Sequence, residues 1–481
     1  MKQFRLRENF AFRGWDKLPY AVVDLRNAEA VFLTLGQFKP LYDFLSDDIS
    51  LEDESLELYE DMARMGIERG FLEECESKTH LASYQKYKRA GCRYIKSVQW
   101  SITNACNLRC RHCFVNASDV RQEELSLQDC LRIIDQLESA NVAAVSLTGG
   151  EPLIREDFWD IVDALLEKRI TVTDLFTNSL LVDECFLDEC SKRHLSWVFC
   201  ISFDGVGCHD WLRGMDGVES RAVDAIKRIK SAGFRVAISS ALHRDNLASL
   251  CPTYELLKEL GVDAWKMSPV MHTGRWVEEA DKRIIGVTSL YDLFLDVIGW
   301  YRHDSMPMAL SLGGFFTCLR GRSEWSSPYH RNAGTERSLN LPVCGACRTH
   351  IYLASNGRVL PCIPTAGTCL EEDAPNIMDV PLTEILGSSK FFELIDTRLG
   401  ASFEQNQICA DCEFRLECGP CRASALHETG HFYGPDKSAC VYWNGGYPEK
   451  IKRVFETSQH SGRRPASADT SRLSISMNLA R

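Results

Sequence analysis

The sequence predicts an α/β protein. A parallel sheet wrapped by helices is preceded by a small strand-and-helix module and followed by a cysteine-rich domain. Three observations carry this. Apolar β runs alternate with helical patterns from residue 98 to residue 268. The first 88 residues read instead as strands followed by helices. Nine of the 21 cysteines crowd into residues 344–440. With 481 residues, 45% of them hydrophobic, the chain is large enough for several cores.

In the N-terminal module, Phe4–Trp15, Tyr20–Leu25 and Ala30–Leu35 read as three short strands. A helical pattern follows at Gln37–Leu45. A second starts at the capping box Ser50-x-x-Asp53, with Leu58, Met62 and Met65 on one face and Gly66 and Gly70 closing it. This order suggests a winged-helix module. Many winged helices bind DNA, but residues 1–88 hold 12 Lys and Arg against 17 Asp and Glu. The whole chain carries a net charge of −12. Phosphate contacts need a basic face, so nucleic acid is disfavoured as a partner.

In the middle region strands are expected at Val98–Thr103, Ala143–Thr148, Thr171–Thr177, Trp197–Ser202, Arg235–Ser240 and Ala264–Ser268. Ser126-x-x-Asp129 is a capping box for the first helix between them. Glu219–Ala232 carries Val223, Ile226 and Ile229 at helical spacing, and Gly233 and Gly261 end their helices. In parallel sheets of this kind function gathers at the C-terminal strand ends.

Two motifs stand directly after strands. The first is Cys106-x3-Cys110-x2-Cys113 in SITNACNLRCRHCF. Three thiolates can hold three corners of a 4Fe–4S cube and leave one iron open; on spacing alone a zinc knuckle is the competing reading. The second is Gly149-Gly150-Glu151-Pro152 in VSLTGGEPLIRED. Its glycines let backbone approach a ligand, and Glu151 can accept a bond from an amine.

A cysteine triplet followed one β/α unit later by GGEP resembles the radical S-adenosylmethionine (SAM) superfamily. The resemblance implies a partial (β/α)6 TIM-like barrel over residues 89–310, with Cys106, Cys110 and Cys113 on a SAM-binding [4Fe-4S] cluster. Gly149, Gly150, Glu151 and Pro152 would then contact SAM. Asn178 and Asp204 would add polar contacts, Ser202 and Arg213 would hold the SAM carboxylate, and Met267-Ser-Pro-Val270 would line the adenine. His112 departs from the family pattern, where the residue before the third cysteine is often aromatic.

The second cysteine group runs Cys344-x2-Cys347-x9-Gly357-x4-Cys362, then Cys409-x2-Cys412-x5-Cys418-x2-Cys421, then Cys440, with Cys369 between the blocks. Spacing alone also fits a pair of zinc ribbons. Behind a radical SAM core the pattern resembles the SPASM domain, here over residues 311–450, which implies two auxiliary [4Fe-4S] clusters and three in all. By that resemblance Cys344 or Cys347, Cys362 and Cys421 serve the first, and Cys409, Cys412, Cys418 and Cys440 the second. The spacing between Cys418 and Cys421, and that between Cys344 and Cys347, are shorter than the family's. The other cysteines, such as Cys130, Cys200, Cys251 and Cys318, read as buried apolar residues.

Placed before such an enzyme, the acidic module over residues 1–88 resembles the PqqD-like recognition element. That element captures a precursor's leader peptide by adding it as a strand to a sheet edge. A structural cap on the barrel is the plainer reading. The whole arrangement implies a maturase for a ribosomally made peptide. It would cleave SAM to a 5′-deoxyadenosyl radical, abstract a peptide hydrogen and install an oxidative link such as a thioether or a carbon–carbon bond. A reductase such as flavodoxin or ferredoxin would supply electrons. The alternatives are a formylglycine-generating enzyme and a non-catalytic Fe–S redox sensor. The sequence singles out no catalytic base.

No run of eighteen apolar residues suggests a membrane span, and MKQFRLRENF lacks a secretory stretch. Twenty-one cysteines without an export signal point to a reducing, cytoplasmic setting, with clusters in place of disulfides. The tail, residues 451–481, rich in Ser and Arg after Phe455, reads as disordered.

Overall fold

The structure is a computed structural model that describes residues 3–46, 53–77, 79–114, 117, 124–271, 273–277, 283–322, 324–331, 335–344, 346, 348–388 and 390–457. Ser50, Cys347 and the segment around Leu473 lie outside the described residues, as does the side chain of Leu58. Among the described residues no helix is long and apolar enough to cross a membrane.

The N-terminal module has strands β1 (Gln3–Leu6), β2 (Phe10–Gly14), β3 (Ala21–Asp24) and β4 (Ala30–Phe32). Helices α1 (Leu35–Ser46) and α2 (Asp53–Glu68) follow, then β5 (Leu72–Cys75) and β6 (Lys88–Arg89). The single strand expected over Phe4–Trp15 is two. The chain turns where Phe10 N–H donates to the Arg7 carbonyl, and β1 leaves to pair antiparallel with β5. Strands β2, β3 and β4 form an antiparallel meander, with β6 parallel on β2. Helix α1 buries Phe38, Leu41 and Leu45, one face at helical spacing. Phe38 stacks on Tyr42, and Phe12 meets Tyr42 edge-on. Gly66 does not end α2 but lies inside it, because a Cβ there would sit 2.5 Å from Leu72 Cδ1. The residue beyond the helix with left-handed backbone is Gly70, at φ +77°.

The large sheet is built from β7 (Ser97–Ser101), β8 (Ala144–Thr148), β9 (Thr171–Thr177), β10 (Val198–Ser202), β11 (Arg235–Leu242) and β12 (Ala264–Pro269). These are the six expected strands. They lie side by side in chain order, each parallel to the next. Helices α3 (Leu127–Ser139), α4 (Phe158–Glu167), α5 (Glu184–Lys192), α6 (His209–Arg213), α7 (Val218–Ser231) and α8 (Leu250–Glu259) fall between them, and α9 (Val287–His303) follows. The capping box on α3 forms, with Ser126 Oγ accepting from Asp129 N–H at 3.2 Å. The buried face of α7 is Ala222, Ala225, Ile226 and Ile229, while Val223 is only half-buried.

The sheet does not stop at the expected domain boundary. Strand β13 (Ala309–Leu312) adds parallel to β12, and β14 (Phe316–Cys318) and β15 (Trp325–Ser326) follow antiparallel. On the opposite edge β16 (His350–Leu353) adds parallel to β7, with β17 (Val359–Leu360) outside it. The cysteine-rich domain therefore docks by strand pairing beside the strand that leads into the Cys106 loop. Exposed backbone on an edge strand finds partners this way.

The tail expectation is corrected at its start. A helix spans Tyr447–Thr457 and packs on α9, with Ile451 and Phe455 buried. Phe455 lies 5.8 Å from the Phe316 ring, and its carbonyl accepts from Arg302 Nε at 3.2 Å. Apolar Ile451, Val454 and Phe455 recur at helical spacing, which outweighs the polar composition beyond them.

The N-terminal module sits at the rim where the parallel strands begin. Trp15 Nε1 donates to the Ala140 carbonyl at 3.1 Å. Asn141 Nδ2 donates to the carbonyls of Gly14 and Lys88 at 3.2 and 2.9 Å. The Cys106 loop lies at the opposite rim, where strands end.

Candidate functional site

The cysteine triplet occupies the loop after β7. Each sulfur receives a polar hydrogen. Cys106 Sγ accepts from Leu108 N–H at 3.4 Å and Cys113 Sγ from Ala117 N–H at 3.3 Å. Cys110 Sγ faces Arg213 Nη1 at 3.7 Å. Burial pushes the Cys106 thiol up to about 11, and burial also raises Cys110 despite Arg213. Thiols so raised become thiolates when a cation binds them. Three half-buried sulfurs on one loop, each aimed at a donor, are a donor set that fits an iron–sulfur cluster.

Backbone from three neighbouring strand ends closes on this loop. Gly150 N–H donates to the Thr103 carbonyl at 2.9 Å and Glu151 N–H to Ala105 at 2.8 Å. A Cβ on Gly149 would stand 2.5 Å from Thr103 O, and one on Gly150 would stand 2.1 Å from Ala105 O. The glycines thus bring the GGEP turn against the cysteine loop itself. Arg111 N–H donates to the Leu212 carbonyl at 2.9 Å, and Arg275 N–H to the Cys113 carbonyl at 3.2 Å.

Glu151 is fully buried and turns inward. Its oxygens accept from Thr177 Oγ1 at 2.8 Å, Asn178 N–H at 2.7 Å and Leu153 N–H at 3.3 Å. Its carboxyl therefore ties the turn to the end of β9. Burial, opposed by those three bonds, pushes it up to about 7. Pro152 is buried at the start of the following 3-10 turn. Asn178 reaches back to the cysteine loop, donating from Nδ2 to Asn107 Oδ1 at 2.6 Å.

Ser202 ends β10 half-buried, and the fully turned-in Asp204 follows it. Asp204 is not open to a ligand. Oδ2 accepts from Arg213 Nε at 2.7 Å and lies 3.1 Å from His209 Nδ1. Oδ1 accepts from Arg213 Nη2 at 3.1 Å and from Ala241 N–H at 2.9 Å. The fork of Arg213 is likewise taken by Asp204, which leaves Nη1 directed at Cys110. The pair holds Asp204 well below the usual carboxylate range and Arg213 above its ordinary value. His112 lies in the same neighbourhood; burial and the Arg213 charge push it down to about 3, so the ring is neutral. Met267 turns into the hydrophobic core, whereas Val270 packs beside Leu212 and Trp276.

The auxiliary cysteines fall into two sets by the thiols that act on one another. Cys344 and Cys421 act on Cys362, and Cys344 acts on Cys421. Separately, Cys440 and Cys409 act on Cys418, while Cys409 and Cys412 act on Cys440. Burial pushes Cys362 and Cys418 up to about 12. Among the described residues no three side chains close on one point as the ligands of a single metal ion do.

Sequence reasoning missed the residues that hold these groups. Asn246, fully buried, donates from Nδ2 to the carbonyls of Asp204 and Ala241, both at 2.8 Å. The His243-x-x-Asn246 capping box was a readable signal for it. Asp436 caps the helix carrying Cys440 and accepts from Cys421 N–H at 2.8 Å, so it joins the two sets; its signal was an Asp before a helical pattern. Arg275 and Arg331 had none, since both act on backbone carbonyls distant in sequence.

Comparison with known proteins agrees with this layout. The radical SAM superfamily matches residues 100–264, and the SPASM iron–sulfur cluster-binding domain matches residues 344–413. An AdoMet-dependent heme synthase of Methanosarcina barkeri is 28% identical over 366 residues, which cover 72% of this chain and 97% of that protein. A PqqA peptide cyclase of Granulibacter bethesdensis is 23% identical over 355 residues, 68% of this chain and 83% of that protein. Among solved structures, Streptococcus suis SuiB bound to precursor peptide SuiA aligns with a TM-score of 0.64 at 16% identity, covering 91% of this chain and all of that one. Together, the cysteine loop, its encircling turns and these matches establish that the chain carries a radical SAM domain followed by a SPASM iron–sulfur cluster-binding domain.

Proposed function

We propose that this protein is a radical SAM peptide maturase acting on a ribosomally made precursor. Cys106, Cys110 and Cys113 hold the SAM-binding [4Fe-4S] cluster, which supplies reductive cleavage of SAM to methionine and a 5′-deoxyadenosyl radical. Around it, Asp204 fixes Arg213 so that its charge faces Cys110. Glu151 pins the GGEP turn to β9. Ser202 and the free edges of that turn are left to contact SAM, while Asn178 holds the cysteine loop through Asn107. Cys344, Cys362 and Cys421 hold one auxiliary [4Fe-4S] cluster, and Cys409, Cys412, Cys418 and Cys440 hold the other. Residues 1–88 bind the leader peptide, and a flavodoxin or ferredoxin supplies electrons.

One observation carries the peptide reading. The likeness to SuiB covers 91% of the chain, and the remaining 9% is shorter than the N-terminal module. At least part of that module therefore falls within the likeness to a protein solved with its precursor peptide, which supports the reading. A second reading has support too: the heme synthase relative favours heme formation as the reaction.

Anaerobic reaction of the reconstituted protein with SAM, dithionite and any short peptide encoded beside its gene tests the first reading. The expected result is 5′-deoxyadenosine together with a peptide lighter by a pair of hydrogens. Deletion of residues 1–88 should weaken peptide binding while sparing SAM cleavage. An unmodified peptide, with heme formed from a porphyrin in its place, would decide for the second reading.

A further inference from the structure

The two auxiliary cysteine sets are joined by a side chain that belongs to neither. Arg331 donates from Nε to the Cys418 carbonyl at 2.7 Å, and from Nη1 and Nη2 to the carbonyls of Pro342 and Val343, both at 3.0 Å. Cys418 belongs to the second set, and Val343 immediately precedes Cys344 of the first. The backbone repeats the link: Arg331 N–H donates to the Glu417 carbonyl at 2.6 Å, and His330 bridges to Cys418. A second guanidinium lies close by. Arg422 follows Cys421 directly and is 3% exposed. Its Nη1 reaches the Gly434 carbonyl at 3.4 Å, and its buried Nε has no partner among the described residues.

Neither arginine forms an ion pair with a carboxylate among the described residues. The charges acting on Arg331 are the Arg422 guanidinium, which repels it, and then Cys418 and Cys344; those acting on Arg422 are Cys409, Cys344, Cys418 and Asp436. Burial lowers both guanidiniums from their ordinary value, and the Arg422 charge lowers Arg331 further. A buried Arg422 and a half-buried Arg331, with Asp436 the one carboxylate named beside them, are costly unless another negative charge stands near. The two thiolate sets are that charge. A cluster on four thiolates is anionic and gains a further negative charge on reduction, so a neighbouring cation favours its reduced form.

We propose that Arg331 and Arg422 are the shared counter-charge of the two auxiliary clusters. Arg331 also clamps the Cys344 and Cys418 loops together, and both guanidiniums hold the two reduction potentials up. They are positioning residues that act through the clusters, and this role rests on the reading that these thiols bind clusters.

Redox titration of the reconstituted full chain, followed by electron paramagnetic resonance, tests it with Arg331→Met, Arg331→Lys and Arg422→Met. The SAM-binding cluster is told apart by its response to added SAM. Both Met variants should lower the auxiliary potentials. The reduced-to-oxidised ratio at fixed potential should fall at least tenfold, about 59 mV for a one-electron couple. The SAM-binding cluster should not move, and Arg331→Lys, which keeps the charge, should shift far less than Arg331→Met. If Arg331→Met loses auxiliary iron, its clamp is upheld, and Arg422→Met, with its single long bond, decides the charge. Auxiliary potentials unmoved in Arg422→Met would overturn the proposal, as would equal shifts in Arg331→Lys and Arg331→Met. Native protein with about four irons per chain would instead sink the cluster reading, before any variant is compared.

Discussion

Arg213 grips Asp204 with two bonds, 2.7 and 3.1 Å long, and turns its remaining nitrogen toward the Cys110 sulfur at 3.7 Å. The carboxylate is fully buried, and the arginine very nearly so. A helix only five residues long, His209–Arg213, brings this charge from the end of β10 to the cysteine loop. Replacing Asp204 by Ala leaves a buried guanidinium without its partner. The expected cost is about 3–5 kcal/mol in chemical denaturation. Arg213→Lys keeps the charge but loses the fork on Asp204, and it should lower stability in denaturation without removing iron.

Glu151 makes a pH-dependent contribution with a definite sign. Its carboxyl is raised from 4.5 to about 7 in the folded state, chiefly by burial. As pH rises, the unfolded chain gives up this proton first. The associated stability is therefore full below about 4.5 and is lost as pH climbs through 7, about 3 kcal/mol in all. Denaturation of native protein and Glu151→Gln across that window checks it. The native protein should lose more stability with rising pH than the variant, and parallel curves would contradict the assignment.

Gly150→Ala should damage the SAM site and little else. The added methyl would meet the Ala105 carbonyl at 2.1 Å, and backbone cannot step aside as a flexible side chain would. Overpacking of this kind costs on the order of 1–3 kcal/mol. Iron analysis and SAM-dependent spectral change should show a defective SAM-binding cluster with auxiliary iron retained.

The two auxiliary sets predict separable losses. Cys362→Ala should lower iron by about four per chain, and Cys440→Ala by about four more when the two are combined. If either single variant removes both auxiliary clusters, the sets are structurally inseparable, and Asp436, which bridges them, becomes the first suspect.

Trp15 anchors the N-terminal module to the sheet. It is 1% exposed and bonds the Ala140 carbonyl at 3.1 Å. Trp15→Ala should cost about 3–5 kcal/mol and make residues 1–88 more sensitive to limited proteolysis than the sheet that follows.

Much of this architecture is legible in the sequence, because its signals are local. The six strands announce themselves as apolar runs, and all six lie within two residues of expectation at both ends. The capping box on α3 and the left-handed glycines after α7 and α8 need only neighbouring residues to form. Less legible were short polar interruptions such as Glu8-Asn9, where one expected strand becomes two with different partners.

The sequence by itself determined the chemistry on offer: a cysteine triplet after one strand, GGEP after the next, and a second cysteine group far downstream. Tertiary structure decided what those residues do to one another. It spent the Arg213 fork on Asp204, turned Glu151 inward and set the GGEP glycines against the cysteine loop. It also paired β16 with β7 and strung Arg331 between the Cys344 loop and the Cys418 carbonyl, 87 residues away in sequence. The physical reason is range. Propensity and spacing act over a few residues, whereas hydrogen bonds and buried charges choose partners by distance in space, which only the folded chain defines.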